Sequence, residues 1–225
     1  MKNPLFNASI AFDLDGTLVD TAPDLVRALN EAVTPDGLAP VPVQAVRAMV
    51  GRGARALIRR AYAGEARPLS AAMEDERLEL FLSAYGRDIA RESRPFPHVV
   101  ATLDRLADAG ARLSVCTNKP TALAVQLLDA LEMTARFERI IGPEGAPAKK
   151  PDPGHLLAAF GGQPAGFSAL IGDSEPDVGA ARAAGALSVV FEGGYSEKPV
   201  RALGADRLFS CFSQLETLLQ EAASG

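Results

Sequence analysis

The chain is poor in the residues that would mark several common chemistries. It has only two cysteines in 225 residues, too few for a disulfide framework. Cys116 and Cys211 both lie among apolar neighbours and read as reduced core thiols. There are also only two histidines, His98 and His155. Neither has a partner at the spacing of a metal site or a catalytic triad, so both are expected to be structural. No unbroken apolar run approaches the ~20 residues of a membrane span, and the opening MKNPLFNASIAF carries no apolar signal core. A cytoplasmic location without a membrane partner is the expectation. Basic charge is not in excess: 23 Lys and Arg against 28 Asp and Glu give a net −5, which argues against nucleic acid as a partner. Internal repeats and low-complexity tracts are absent. What remains, 48% hydrophobic and 23% charged, is the composition of a soluble globular protein long enough for one or two domains.

The most informative stretch is IAFDLDGTLVD, residues 10–20. Three apolar residues run into Asp13, then Leu14, Asp15, Gly16 and Thr17, the pattern of a buried strand opening onto a polar loop. Alternation along a strand points Asp13 and Asp15 the same way. Two carboxylates in one pocket resist ionisation unless a cation sits with them. A metal beside a carboxylate, with a glycine turn and the Thr17 hydroxyl following, suggests phosphate chemistry.

After Asp20, TAPD reads as a helix start, with Thr21 as cap, Pro23 in the first turn and Asp24 three residues on. Helical spacing continues through 43–64, interrupted at Gly51 and Gly53, and through 69–90. Residues 21–92 therefore form a predicted all-helical domain, while 1–20 and 93–225 form the other. Beyond it, predicted strands over 111–118, 137–142, 167–172, 186–194 and 205–210 alternate with helices over 101–110, 119–133, 153–160, 178–185 and 213–222. The fold class that follows is α/β: a Rossmann-like three-layer core around a parallel sheet, with a helical domain inserted after the first strand. Ligands in such sheets sit at the carboxyl ends of the strands. Three polar loops, after residues near 12, 115 and 171, lie at such ends.

FDLDGTLVD (12–20), VCTN (115–118), KKPDP (149–153) and IGDSEPD (171–177) resemble, in order, the four signature motifs of the haloacid dehalogenase superfamily. The resemblance implies the following roles. Asp13 is the nucleophile that forms an aspartyl-phosphate, and Asp15 is the acid and base that serves the leaving alcohol and the water. An acid at this second position is what the phosphatases of the superfamily have and the dehalogenases lack. Mg²⁺ is the implied cofactor, held by Asp13, the backbone carbonyl of Asp15 and Asp173, with Asp177 behind them or orienting Lys150. The Thr117 hydroxyl and the Asn118 N–H bind the transferring phosphoryl group, and Lys150 neutralises its charge. Lys149 is expected to be solvated, and Cys116 to point into the core.

The helical segment 21–92 lies where the family carries its C1 cap, which closes over the site and reads the leaving group. Its VGRGARALI (50–58) has two reading frames. One is an ordinary loop-to-helix joint; the other is an anion site formed by Gly51, Gly53 and a helix N-terminus, with Arg52 or Arg55 reaching a substrate carboxylate. That block, the Pro-Asp-Leu of 23–25, the segment 95–120 and the GGY of 193–195 resemble the bacterial phosphoglycolate phosphatases, although Arg52 stands where asparagine is usual. The expected partner is a small phosphomonoester, 2-phosphoglycolate first, with a sugar phosphate such as an amino-sugar acid 6-phosphate as the alternative. A β-phosphoglucomutase-like isomerase would share the core motifs, and so would a non-enzymatic binding protein, which would be expected to lose a core residue. A phosphonatase would need a cap lysine, and residues 21–92 contain none. The chain is expected to be a monomer or homodimer.

Overall fold

The structure, a computed structural model, describes residues 3–47 and 53–225. Strand β1 (Ser9–Phe12) is buried along its whole length. It lies at the centre of a six-stranded parallel sheet, flanked by β4 (Arg112–Cys116) and β6 (Ser168–Gly172). Outside β4 lies β5 (Arg139–Ile141); outside β6 lie β7 (Leu187–Phe191) and the edge strand β8 (Arg207–Phe209). A strand covered on both faces is largely apolar, which is why IAF and ALIG read as unbroken runs and LSVC is broken only by the small, buried Ser114.

Register decides what gathers at the carboxyl ends. Phe12 pairs with Val115 on one side and with Ile171 on the other. Asp13, Thr117 and Asp173, each one or two residues further on, therefore emerge side by side. Helices α5 (Val99–Asp108), α6 (Thr121–Ala130), α7 (Pro153–Phe160), α8 (Glu175–Ala184) and α9 (Leu215–Ser224) cover the sheet.

Between β1 and α5 the described residues make four α-helices: α1 (Ala22–Val33), α2 (Val43–Arg47), α3 (Ala54–Gly64) and α4 (Ala71–Arg87). Leu25, Val26, Ala28, Leu29, Ala32 and Val33 bury one face of α1, as helical spacing required. Phe81 and Tyr85 of α4 are buried too, their rings stacked 6.1 Å apart. A short antiparallel ribbon, β2 (Val19–Asp20) with β3 (Arg94–Pro95), joins the two chain crossings at the base of these helices.

The entry to α1 differs from the predicted cap. Thr21 is the N-cap residue, but its hydroxyl accepts nothing from the helix and is buried without a partner. The Asp24 carboxylate instead crosses to the return strand and accepts hydrogen bonds from Glu92 N (2.9 Å), Ser93 N (2.8 Å) and Ser93 Oγ (2.7 Å). Serine 93 supplies two buried donors that water cannot reach, and they outcompete the helix end for the carboxylate.

Candidate active site

Asp13 follows β1 directly and is buried. Its Oδ1 accepts from Leu14 N at 2.7 Å and lies 3.0 Å from Lys150 Nζ. No donor engages Oδ2 among the described residues. Lys150, 2% exposed, places the same ammonium 2.6 Å from Asp177 Oδ1. Burial opposes its charge, but Asp13 and Asp177 outweigh burial and hold it protonated. The loop carrying it is fixed from behind: His155 Nδ1 accepts from Lys150 N (3.0 Å), and Nε2 lies 3.2 Å from the Ile141 carbonyl. Burial first, then the Lys150 charge, keeps His155 below its ordinary value, so it is a neutral support. The Lys150–Pro151 peptide is cis, and Lys149 is exposed.

Asp173 is 2% exposed. Its Oδ1 accepts from Thr17 Oγ1 (2.9 Å) and its Oδ2 from Tyr195 N (2.5 Å). Asp177 turns back on its own helix: Oδ2 accepts from Ser174 Oγ (2.6 Å), Ser174 N (3.1 Å) and Asp173 N (3.3 Å). With the Ser174 side chain on the N3 amide, this is a capping box at the start of α8. GDSEPD is thus a helix cap and an acidic loop at once.

One ligand oxygen each from Asp13, Asp173 and Asp177 falls within 4.8 Å of the others. Burial lifts the Asp13 carboxyl from 3.8 to about 6, with Lys150 pulling it down in part and Asp177 pushing it up. Asp173 is raised well above the ordinary value, by burial and then by Asp177 and Asp13. Three buried carboxylates against the single ammonium of Lys150 leave an excess of negative charge, which a divalent cation would cancel. The donor set thus fits a hard metal. Both oxygens of Asp177 are committed, to Lys150 and to the helix cap, and both of Asp173 accept from Thr17 and Tyr195, so among the described residues only Oδ2 of Asp13 lacks a donor in this cluster.

The sequence placed Asp13 and Asp15 around one cation. The structure separates their carboxylates: Asp13 faces Asp173 and Asp177, whereas Asp15 is held by Lys119. Gly16, next in the chain, sits at φ +87°, and a Cβ there would come within 2.6 Å of Asp173 Oδ2 and the Tyr195 ring. Thr117, 1% exposed, lies beside Asp13 at the end of β4, and its Oγ1 accepts from Lys119 N at 3.3 Å. Asn118 Nδ2 donates to the Lys150 carbonyl (3.3 Å). Cys116 faces the other side of the sheet, buried, its thiol pushed up to about 12 chiefly by burial.

These residues open onto a space of about 50 Å³ between the sheet ends and the helices. Asp13, Asp15, Thr117, Asn118 and Lys119 line one side; Gly53, Ala54, Leu57, Phe81 and Tyr85 line the other. Of the four residues expected to read the substrate, Gly53 lines this space. Arg55 is instead half-exposed and paired with Asp75 (2.7 Å) and Glu74 (3.3 Å), and it is not among the lining residues. Gly51 and Arg52 lie outside the described residues.

Sequence reasoning gave no site role to Lys119, Tyr85 or Tyr195, and read His155 as structural. Lys119 was readable as a cation directly after the polar end of a strand. The others are joined to the site only by the fold, as when Tyr195 reaches back to Ala22 N (3.0 Å) and donates its hydroxyl to Asp20.

Residues 8–185 match the family model of the haloacid dehalogenase-like hydrolases. A Caulobacter vibrioides protein named phosphoglycolate phosphatase is 49% identical over 210 residues, 92% of this chain and 89% of its own. One of the same name from Mesorhizobium japonicum is 39% identical, covering 94% of each chain. Among solved structures, a predicted phosphoglycolate phosphatase from Haemophilus somnus superposes with a TM-score of 0.86 at 31% identity, over 95% of this chain and 98% of its own. Family, fold and site agree: the chain belongs to the haloacid dehalogenase-like hydrolases and is a phosphatase.

Proposed function

We propose that this phosphatase hydrolyses 2-phosphoglycolate to glycolate and phosphate, with Mg²⁺, by double displacement through Asp13. The observation that carries the mechanism is the state of Asp13: buried, fixed through Oδ1 by Leu14 N and Lys150, with Oδ2 left without a donor among the described residues. Oδ2 attacks phosphorus, the bond from phosphorus to the ester oxygen breaks, and Asp15 gives that oxygen its proton. Asp15 then takes a proton from water, whose oxygen attacks the aspartyl-phosphate and returns Asp13 with inorganic phosphate. Thr117 Oγ1 and Asn118 N donate to the phosphoryl oxygens. Lys150, kept cationic by Asp13 and Asp177, offsets the charge that builds on them.

Asp13, Asp173 and the backbone carbonyl of Asp15 would hold the Mg²⁺. Bound there, the cation relieves the repulsion between the carboxylates and an incoming phosphate dianion. Residues 21–92 act as the cap that shuts water out of the reaction.

One observation supports the substrate: the relatives at 49% and 39% identity bear the name phosphoglycolate phosphatase. Phosphate release from a panel of phosphomonoesters, with Mg²⁺ and with EDTA, tests the reading. Phosphoglycolate should have the highest kcat/KM, EDTA should abolish turnover, and Asp13→Asn should do the same. A sugar phosphate with equal or higher kcat/KM would overturn the substrate, and wild-type turnover by Asp13→Asn would overturn the mechanism.

A further inference from the structure

Lys119 is a buried lysine that the chemistry at phosphorus does not use. It is 6% exposed. Its Nζ lies 2.8 Å and 3.1 Å from the two oxygens of Asp15 and 2.8 Å from the hydroxyl of Tyr85, on the opposite, helical side of the space. The ammonium is also 4.3 Å from the centre of the Tyr85 ring, close enough for a cation–π contact. Among the described residues lining the space, Lys119 is the only cation.

We infer that Lys119 and Tyr85 together form the receptor for the carboxylate of the substrate, an inference that rests on the phosphoglycolate reading above. The geometry of so small a substrate requires it. In phosphoglycolate one methylene separates the ester oxygen from the carboxylate, so when Asp13 meets the phosphorus the carboxylate falls within a few ångströms of Asp15. Two carboxylates that close repel strongly in a site screened from water, unless a cation already stands between them. Lys119 stands there.

Tyr85 completes the receptor. Its oxygen accepts from the ammonium, so its own proton is left to donate, and no acceptor for that proton occurs among the described residues. Burial raises its pKa to about 12, which keeps the proton in place at neutral pH. One N–H of Lys119 and the O–H of Tyr85 can thus engage one carboxylate, one from the sheet side and one from the helical side. Recognition of the carboxylate is then possible only while α4 rests against the loop after β4. The seating is precise: Phe81 stacks on Tyr85, and Gln126 Nε2 donates to the Gly86 carbonyl at 2.8 Å, tying α4 to α6.

Ethyl phosphate, which keeps the two-carbon chain but lacks the carboxylate oxygens, provides the test. kcat/KM is measured for phosphoglycolate and for ethyl phosphate with the wild type, Lys119→Met and Tyr85→Phe, each with saturating Mg²⁺. The ratio of the two values should be large for the wild type. It should fall about 10- to 100-fold in Lys119→Met, as expected for loss of a charged hydrogen bond, and by a smaller factor in Tyr85→Phe, with the change mainly in KM. Tyr85→Phe keeps the ring and its packing, so it reports even where the lysine variant fails to fold. A wild-type ratio near one would overturn the substrate reading. A large wild-type ratio that neither variant lowers, or a Lys119→Met variant that loses both substrates by the same factor, would leave that reading standing and overturn the receptor.

Discussion

Replacing Asp13 by asparagine should change how stability depends on pH, in a direction the site dictates. Burial, with Asp177 adding to it and Lys150 only partly opposing it, moves the Asp13 carboxyl from 3.8 to about 6 in the folded chain. Between those values the folded protein holds a proton that the unfolded chain releases. Stability therefore falls as pH rises from about 4 to about 6, and the full cost is present above that. A rise from 3.8 to about 6, at about 1.4 kcal/mol per pH unit, is of order 3 kcal/mol. Asp173 is raised for the same reasons and contributes with the same sign.

His155 works the other way. Buried and neutral, with its pKa lowered, it favours the folded state less as pH falls through the ordinary histidine range. The raw pH profile therefore mixes opposing contributions, and comparison of two variants separates them. Urea midpoints would be taken in EDTA at pH 4.5, 5.5, 6.5 and 7.5 for the wild type and for Asp13→Asn. The variant should gain on the wild type as pH rises, by about 2 kcal/mol between pH 4.5 and 7.5. Saturating Mg²⁺ should close the gap at pH 7.5 by stabilising the wild type, because the cation favours the ionised site. Parallel profiles in EDTA would refute the reasoning, since Asp13 would then bind its proton equally well folded and unfolded.

Asp177→Asn leaves Lys150 with one carboxylate instead of two and should lower activity by roughly 10- to 100-fold with the fold intact; initial rates together with circular dichroism check this. Gly194→Ala would put a Cβ 2.2 Å from Asp173 Cβ and 2.6 Å from the Gly16 carbonyl. Displacing Asp173 by about 1 Å should cost on the order of 100-fold in kcat and raise the Mg²⁺ concentration needed for half-activity. Asp24→Ala strands the buried Ser93 N and Oγ at about 1–3 kcal/mol each. Melting should occur roughly 4–24 °C lower, a shift that differential scanning calorimetry resolves.

The strands that build the site were legible because a parallel sheet covered on both faces leaves largely apolar runs, and each run stops where polar chemistry starts: Phe12 before Asp13, Cys116 before Thr117, Gly172 before Asp173. Helices were legible where one face is buried, as in α1. The ribbon of Val19–Asp20 with Arg94–Pro95 was not, since two residues are too few for any periodicity. The direction of a carboxylate was equally hidden. TAPD has the spacing of a helix start, yet Asp24 turns to Ser93, some seventy residues on, because buried donors there had no other acceptor. Arg55 reads as an anion contact until α4 brings Asp75 and Glu74 beside it.

Lys119 shows what separates these cases. Lys150 was identifiable because the proline-stiffened loop around it matches a motif, and its partners follow from that motif. Lys119 gains its meaning only when Tyr85, 34 residues earlier in the chain, is folded against it from another layer. On the reading proposed above, Lys150 and Lys119 divide by task. Lys150 lies beneath Asp13 with Asp177 and His155 fixing it from below, where it can serve any phosphoryl group that arrives. Lys119 lies at the seam between sheet and helices, beside Asp15, where only the leaving group differs from one phosphomonoester to the next. A phosphatase built this way can keep its chemistry constant and change substrate through the seam alone. The residue facing Lys119 from α4 is the position where such a change would be made.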